Sequence, residues 1–246
     1  VPGVAGVVGV ALREGLCSAA TVTRVTSSDT AIPRDGRAAR AAASRARIAE
    51  AATRLFLGDG YGPTTITAVG RAAGLGVQTV YYSYPSKSDI LVGCLDHAVD
   101  GADRRDAAPD LADQPWVRAV VAEPDPARRV FLHARGAAEL LGRAAAVQDL
   151  VRAHAVGDPV LHAAWERDEA RRRAVHRLLV EACDRDGVLR PGLDVERATD
   201  VVALVLGPET WNALVRRGGW SALAWARWAH RTLLADLVPS RWDPEA

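Results

Sequence analysis

From about residue 44 to residue 238, apolar side chains recur every three or four positions, and no stretch alternates with a period of two. That spacing predicts helices throughout, and so an all-α fold. Ile48, Ala51, Ala52 and Leu55, with Phe56 alongside, form the first stripe. Ser44 is placed to cap its start, and Gly58 and Gly60 to end it. A short second helix fits residues 65–73, capped by Thr64 or Thr65 and closed by Gly74. A third fits 77–82, and Pro85 blocks its continuation. Ser86 then caps a fourth, with Ile90, Leu91, Leu95 and Ala98 as its apolar face. Longer helices open at Asp125-Pro126 and Asp158-Pro159, each with Pro at the first helical position, where its missing N–H costs nothing. Others open at Asp194 and Ser221, with a break or kink at Gly207-Pro208. No fixed-period repeat is visible.

Two short helices joined across a tight glycine turn are what a helix-turn-helix requires. Val69, Ala73, Leu75 and Val80 are the inward candidates, and Gln78, Thr79, Tyr81 and Tyr82 the outward ones. Gln can bond an adenine edge with two hydrogen bonds, and a Thr methyl can touch a thymine methyl. Tyr hydroxyls and free N–H groups at helix starts can hold phosphates. Lys87, in the first turn of the fourth helix, adds a positive charge beside them.

Charge sharpens this picture. The formal net charge of the 246 residues is only +1, so any attraction to nucleic acid must be local. Between Arg34 and Arg54 six arginines (34, 37, 40, 45, 47 and 54) face only Asp35 and Glu50. This is the footprint of a phosphate-binding surface or, equally, of a solvated helical face. Cys17, Cys94 and Cys183 lie far apart, without a Cys-x-x-Cys or Cys/His cluster, so reduced thiols and no metal are expected. No nucleophile elbow, phosphate-cradling loop or triad spacing points to an enzyme, and no cofactor is expected. No stretch approaches the length of a membrane span, and a cytoplasmic protein is expected. Residues 1–43 are expected to be a poorly ordered extension, punctuated by Gly, Ser, Thr and Pro. The first residue is Val and there is no Met; a non-standard start codon, or a start called too far upstream, would explain both.

Residues 44–91 resemble the DNA-binding domain of the tetracycline-repressor (TetR) family. The resemblance runs through "RIAEAATRLF", "GDGYGPTTI", "TAVGRAAGL" and "VQTVYYSYPSKSDIL" in order. It implies a sequence-specific regulator, most commonly a repressor. Such a protein is a homodimer on operator DNA that releases it when a small-molecule effector binds residues 92–246. Arg45, from the basic stretch, joins the expected DNA-binding residues. By the resemblance, Thr64 or Thr65 would touch a phosphate, Gln78 and Thr79 bases or nearby phosphates, Tyr81 and Tyr82 would be the usual tyrosine pair, and Lys87 would clamp the backbone. Gly76 stands where Ser or Thr often caps the recognition helix, at a cost of at most a few tenths of a kcal/mol. Val77, Ser83 and Tyr84 also depart from the usual residues, which bears on the operator sequence and not on the fold.

The C-terminal part is less specific. Trp116, Phe131, Trp165 and Trp211 are candidate effector-pocket residues, because ligand sites favour aromatics; plain core or interface packing is the alternative. Val201, Val202, Val205, Leu233, Leu234 and Leu237 are candidates for the dimer interface, with packing inside one subunit as the alternative. His133, His154, His162 and His176 fall on predicted helices without metal-binding spacing and are expected to be solvated or hydrogen-bonded.

Overall fold

The computed structural model describes residues 34–101 and 113–239, and the regular elements among them are all helical. They are α1 (Arg34–Gly58), α2 (Ile66–Ala73), α3 (Val77–Ser83), α4 (Lys87–Asp100), α5 (Pro115–Ala122), α6 (Pro126–His154), α7 (Pro159–Arg185), α8 (Val195–Val205), α9 (Pro208–Trp211) and α10 (Ala222–Leu237). The chain runs on from α9 through a wide π-helical turn, Asn212–Arg217.

The expected caps mostly hold. Thr65 accepts from the Ala68 N–H, and Ser86 and Asp89 form a reciprocal capping box at the start of α4. Asp125, Asp158, Asp194 and Ser221 cap α6, α7, α8 and α10. The start of α1 differs. It lies at Arg34, so Ser44 sits mid-helix and is not a cap. Residues 34–43, expected in the N-terminal extension, are helical because alanine, the strongest helix former, dominates them. The rest of that extension, 1–33, lies outside the described residues. Helix α5 was not anticipated; Pro115 at its first position and the apolar Trp116, Val117 and Val120 were its signals.

Two apolar cores flank α6, which is buried on both sides. Ile48, Phe56, Val69, Val80, Ile90 and Leu95 from α1–α4 pack with Leu140, Val147 and Val151 of α6 and Leu161 and Val175 of α7. The opposite side of α6 packs on Leu179 and Cys183 of α7, on Val202 and Val205 of α8, and on Trp225, Leu233 and Leu237 of α10. The first four helices are therefore seated directly on the C-terminal bundle.

This arrangement favours the packing alternative for most of the dimer-interface candidates. Val202, Val205, Leu233, Leu234 and Leu237 are buried inside the subunit and Val201 is half-buried, so these side chains fill its own core. The large apolar side chains that α8, α10 and their approach leave exposed are Leu204, Trp220 and Leu223.

Close approach fixes the seat of α5. The Trp116 ring lies over Gly136 of α6, where an added Cβ would come within 2.7 Å of Cδ2 and nearer still to Cε3. Gly136→Ala is therefore expected to displace the ring and cost about 1–3 kcal/mol, as overpacking does. Urea unfolding followed by tryptophan fluorescence checks this, and a change below about 0.5 kcal/mol would show that the ring moves freely.

Candidate nucleic-acid interface

The α2–α3 pair is built from α1 outward. Val69 and Ala73 of α2 and Val80 of α3 are buried against Ile48, Ala52 and Phe56 of α1, and Leu75 is half-buried between them. Gly74 ends α2 with φ +63°, a left-handed conformation that glycine adopts without strain. Arg47 fastens the corner: its guanidinium donates to the carbonyls of Ala73 at 2.6 Å and Gly74 at 3.3 Å. These are the carbonyls a helix end leaves without partners. One of the six arginines in the basic stretch thus holds the turn, a role its sequence position did not reveal.

With Val80 inside, the helical period turns the rest of α3 outward. Gln78 and Thr79 are exposed, Tyr81 is 48% exposed and Tyr82 91%. Thr65 is exposed at the N-terminus of α2, and Arg45 is exposed on α1 beside Arg37 and Arg40. Thr64 differs: it is buried and donates its hydroxyl to the Gly60 carbonyl at 2.8 Å, so of the two threonines Thr65 is the one presented outward. Tyr84 lies across Gly93 of α4, where a Cβ would overlap its ring, and so sets the angle between α3 and α4.

Lys87 is half-buried. Its Nζ donates to the Gly62 carbonyl at 2.9 Å and lies 4.5 Å from the centre of the Tyr61 ring. Burial lowers its pKa. Here Lys87 joins the α1–α2 turn to the start of α4. Tyr61 continues this link: it donates to Ser88, 3.2 Å away, and Ser88 donates to Asp158, the cap of α7. The Ser88 hydrogen bond lowers the pKa of Asp158, and burial raises that of Tyr61. Farther along, Arg167 of α7 pairs with Asp96 at 3.0 Å and Arg171 with Asp100 at 2.9 Å. Helices α4 and α7 therefore run parallel and are tied at three levels.

A buried polar layer crosses the α6–α7 contact. His133 Nε2 and His176 Nδ1 are 3.0 Å apart, and both rings are buried. Burial pushes the His133 pKa down to about 3 and that of His176 well below the usual value. Beyond them Asp168, also buried, accepts from Gln148 Nε2 and Arg172 Nε, each at 3.0 Å. His133 Nδ1, His176 Nε2, Gln148 Oε1 and Asp168 Oδ1 have no hydrogen-bond partner among the described residues. A cavity of about 20 Å³ opens beside this layer, lined by Trp116, Leu140, Leu141, Val175, His176 and Leu206 among others.

The four candidate pocket aromatics do not gather around it. Trp116 lines the cavity. Trp211 packs edge-on against Trp225 in the C-terminal core, Phe131 meets His230 edge-on, and Trp165 lies beneath Arg172. The layer itself was not singled out from sequence, although the steps from Asp168 to Arg172, His176, Leu179 and Cys183 place all five on one helical stripe. His154 lies tilted against the Tyr61 ring, and His162 is exposed beside Glu166. Among the described residues no group of His, Cys, Asp or Glu is arranged to hold a metal, and no helix is long and apolar enough to cross a membrane.

Residues 48–94 match the sequence family described as "Bacterial regulatory proteins, tetR family". No curated protein matches the chain significantly. Among solved structures, one of a putative TetR-family transcriptional regulator from Mesorhizobium loti superposes with a TM-score of 0.63 at 21% identity, covering 81% of this chain and 99% of that one. The fatty acid degradation regulator FadR from Bacillus halodurans superposes with a TM-score of 0.63 at 16% identity, covering 78% and 95%. A putative transcriptional regulator from Saccharomonospora viridis in complex with choline gives 0.61 at 20% identity, covering 80% and 98%.

Proposed function

We propose that the chain is a TetR-family regulator, on the match of residues 48–94 and the fold it shares with solved regulators, and that it is an effector-responsive repressor acting as a homodimer on operator DNA in the cytoplasm, with no enzymatic activity. The observation that carries this reading is the division of α3. Val80 is fully buried, while Tyr82, two residues on, is 91% exposed in a helix with no packing role for it. In this reading Gln78, Thr79 and Tyr81 reach base edges or adjacent phosphates, and Thr65, Tyr82, Lys87 and Arg45 hold the backbone. Two copies would set their α3 helices in successive major grooves, about 34–36 Å apart. The DNA-binding part ends near residue 91, and the remainder serves effector binding and dimerisation. The exposed Leu204, Trp220 and Leu223 would cover one another's faces in the dimer.

Release follows from the ties between α4 and α7. An effector that shifts α7 carries α4 with it through Asp158, Arg167 and Arg171. Movement of α4 then alters the α3 spacing, for a coupling of typically 1–3 kcal/mol.

Binding of the purified chain to duplex from immediately upstream of its own gene, titrated with salt, tests the reading. Affinity above that for random DNA, falling steeply with salt, is expected. Tyr82→Ala should weaken operator binding about tenfold or more while leaving thermal stability nearly unchanged, since the side chain is solvated. Unchanged binding in that variant would remove α3 from the interface.

A further inference from the structure

We propose that the cavity between α5, α6, α7 and α8 binds an uncharged, mainly apolar molecule bearing a hydroxyl group, with His176 Nε2 as its hydrogen-bond partner. This rests on the reading that the C-terminal helices hold an effector.

The walls set the body of the ligand. Trp116, Leu140, Leu141, Val175 and Leu206 offer an aromatic face and branched aliphatic groups. His176 is the buried polar side chain among them, and its Nε2 has no partner among the described residues. A buried nitrogen in that condition is destabilising, and a ligand that bonds it would recover the loss.

The hydrogen-bonded histidine pair sets the polar group. One proton lies between His133 Nε2 and His176 Nδ1. If His176 supplies it, His176 Nε2 is an acceptor; if His133 supplies it, His176 Nε2 carries a proton and donates. A hydroxyl both donates and accepts, so it satisfies either tautomer. A carboxylate satisfies only one and an ammonium only the other.

Charge makes the same choice. Arg172 lines the cavity, but its guanidinium is already paired with the buried Asp168, so that pair is neutral as it stands. Burial keeps both imidazoles uncharged at neutral pH. A carboxylate would add an unmatched anion near two further acceptors without partners, Asp168 Oδ1 and Gln148 Oε1. An ammonium would face Arg172. Either would bury a charge without a partner, and a neutral hydroxyl avoids both.

At about 20 Å³ the cavity has room for a single water, so a larger guest must widen it. Helix α5 is the shortest wall, with eight residues of which Val117 and Val120 are buried, and a larger guest would push it outward together with the Trp116 ring that sits on Gly136. The opposite wall is α7 at Arg172 and His176, one residue beyond Arg171, which is bound to Asp100 of α4. Widening therefore acts on the helix tied to the DNA-binding unit.

The test uses the full chain and four probes of one shape: 4-propylphenol, propylbenzene, 4-propylbenzoate and 4-propylbenzylamine. Calorimetry should show the phenol binding at least tenfold more tightly than each of the others, and the phenol should weaken DNA binding. Replacing the pair together, His133→Leu with His176→Leu, leaves neither imidazole unpaired and should reduce phenol affinity to that of propylbenzene. Imidazole 15N spectra of the unaltered protein, which has six histidines, keep the test decisive if that variant misfolds. Two buried histidine signals should shift with the phenol and not with propylbenzene. Equal or tighter binding of the benzoate or the amine, or unmoved histidine signals, would overturn the assignment. If none of the four binds while the chain still binds DNA, the assignment falls and the regulator reading stands; if the chain binds no DNA, that reading falls first.

Discussion

Asp168→Ala is expected to lower folding stability by about 3–5 kcal/mol, the usual cost of removing one partner from a buried ionic pair. Asp168 is 2% exposed and accepts from both Gln148 and Arg172. Without it, the Arg172 cation, whose side chain is 11% exposed, keeps its charge in a poorly hydrated position. Gln148, fully buried, loses its partner too. An exposed pair on the neighbouring turn, Asp149 with Arg152, serves as control; its loss should cost no more than about 1 kcal/mol. Because the penalty lies in the orphaned cation, Asp168→Leu combined with Arg172→Leu should recover most of the loss. Urea denaturation of the three variants checks this order. A loss below about 1 kcal/mol for Asp168→Ala would mean that water reaches the layer freely.

Mild acid should destabilise the fold between pH 7 and pH 5, by about 2 kcal/mol from His133, with His176 adding a loss of the same sign. In the unfolded chain both titrate near the ordinary imidazole pKa. In the folded chain burial holds His133 down to about 3 and His176 well below the usual value. Below pH 6.5 the unfolded state therefore binds protons that the native state refuses, and stability falls as pH falls. The contribution is intact above the unfolded value and declines through the window from 6.5 toward 3. The flanking charges fit this assignment. Arg172 on α7 opposes protonation of His176, and Trp116 of α5 lies against His133 with centroids 5.5 Å apart and no charge to favour it. Denaturant titrations at pH 7, 6 and 5, repeated on the double leucine variant, isolate the effect. The variant should lose most of the slope between pH 6 and 5; an unchanged slope would assign it elsewhere.

The parts of the chain read correctly from sequence are those where one local rule decides. Thr65, Ser86, Asp125 and Asp158 cap helices because a short acceptor at that position satisfies free N–H groups. Gly74 ends α2 because the chain must turn left-handed there. The exposure of Gln78, Thr79, Tyr81 and Tyr82 follows from the helical period once Val80 is inside. What was misread depends on which face meets which. Leu233 and Leu237 look alike whether they line a core or an interface, and only the docking of α10 on α6 places them in the core. His133 and His176 lie far apart in sequence, and no spacing rule joins them before α6 and α7 pack. Lys87 reads as a backbone clamp and Arg47 as part of a basic stretch, and only the packing of α1, α2 and α4 shows that their donors also close corners of the fold. The early start of α1 is the exception: the alanine run in 38–43 carried it, outweighing Gly36 and Ser44.

Selection from a random duplex library tests the central claim most directly, because it presupposes no operator sequence. The purified chain should enrich a two-fold symmetric site with half-sites about one helical turn or a multiple apart. The Tyr82→Ala protein should enrich it weakly or not at all. Failure of the folded, unaltered chain to enrich any sequence, across low and moderate salt, would contradict the account of α3 as a DNA-reading helix.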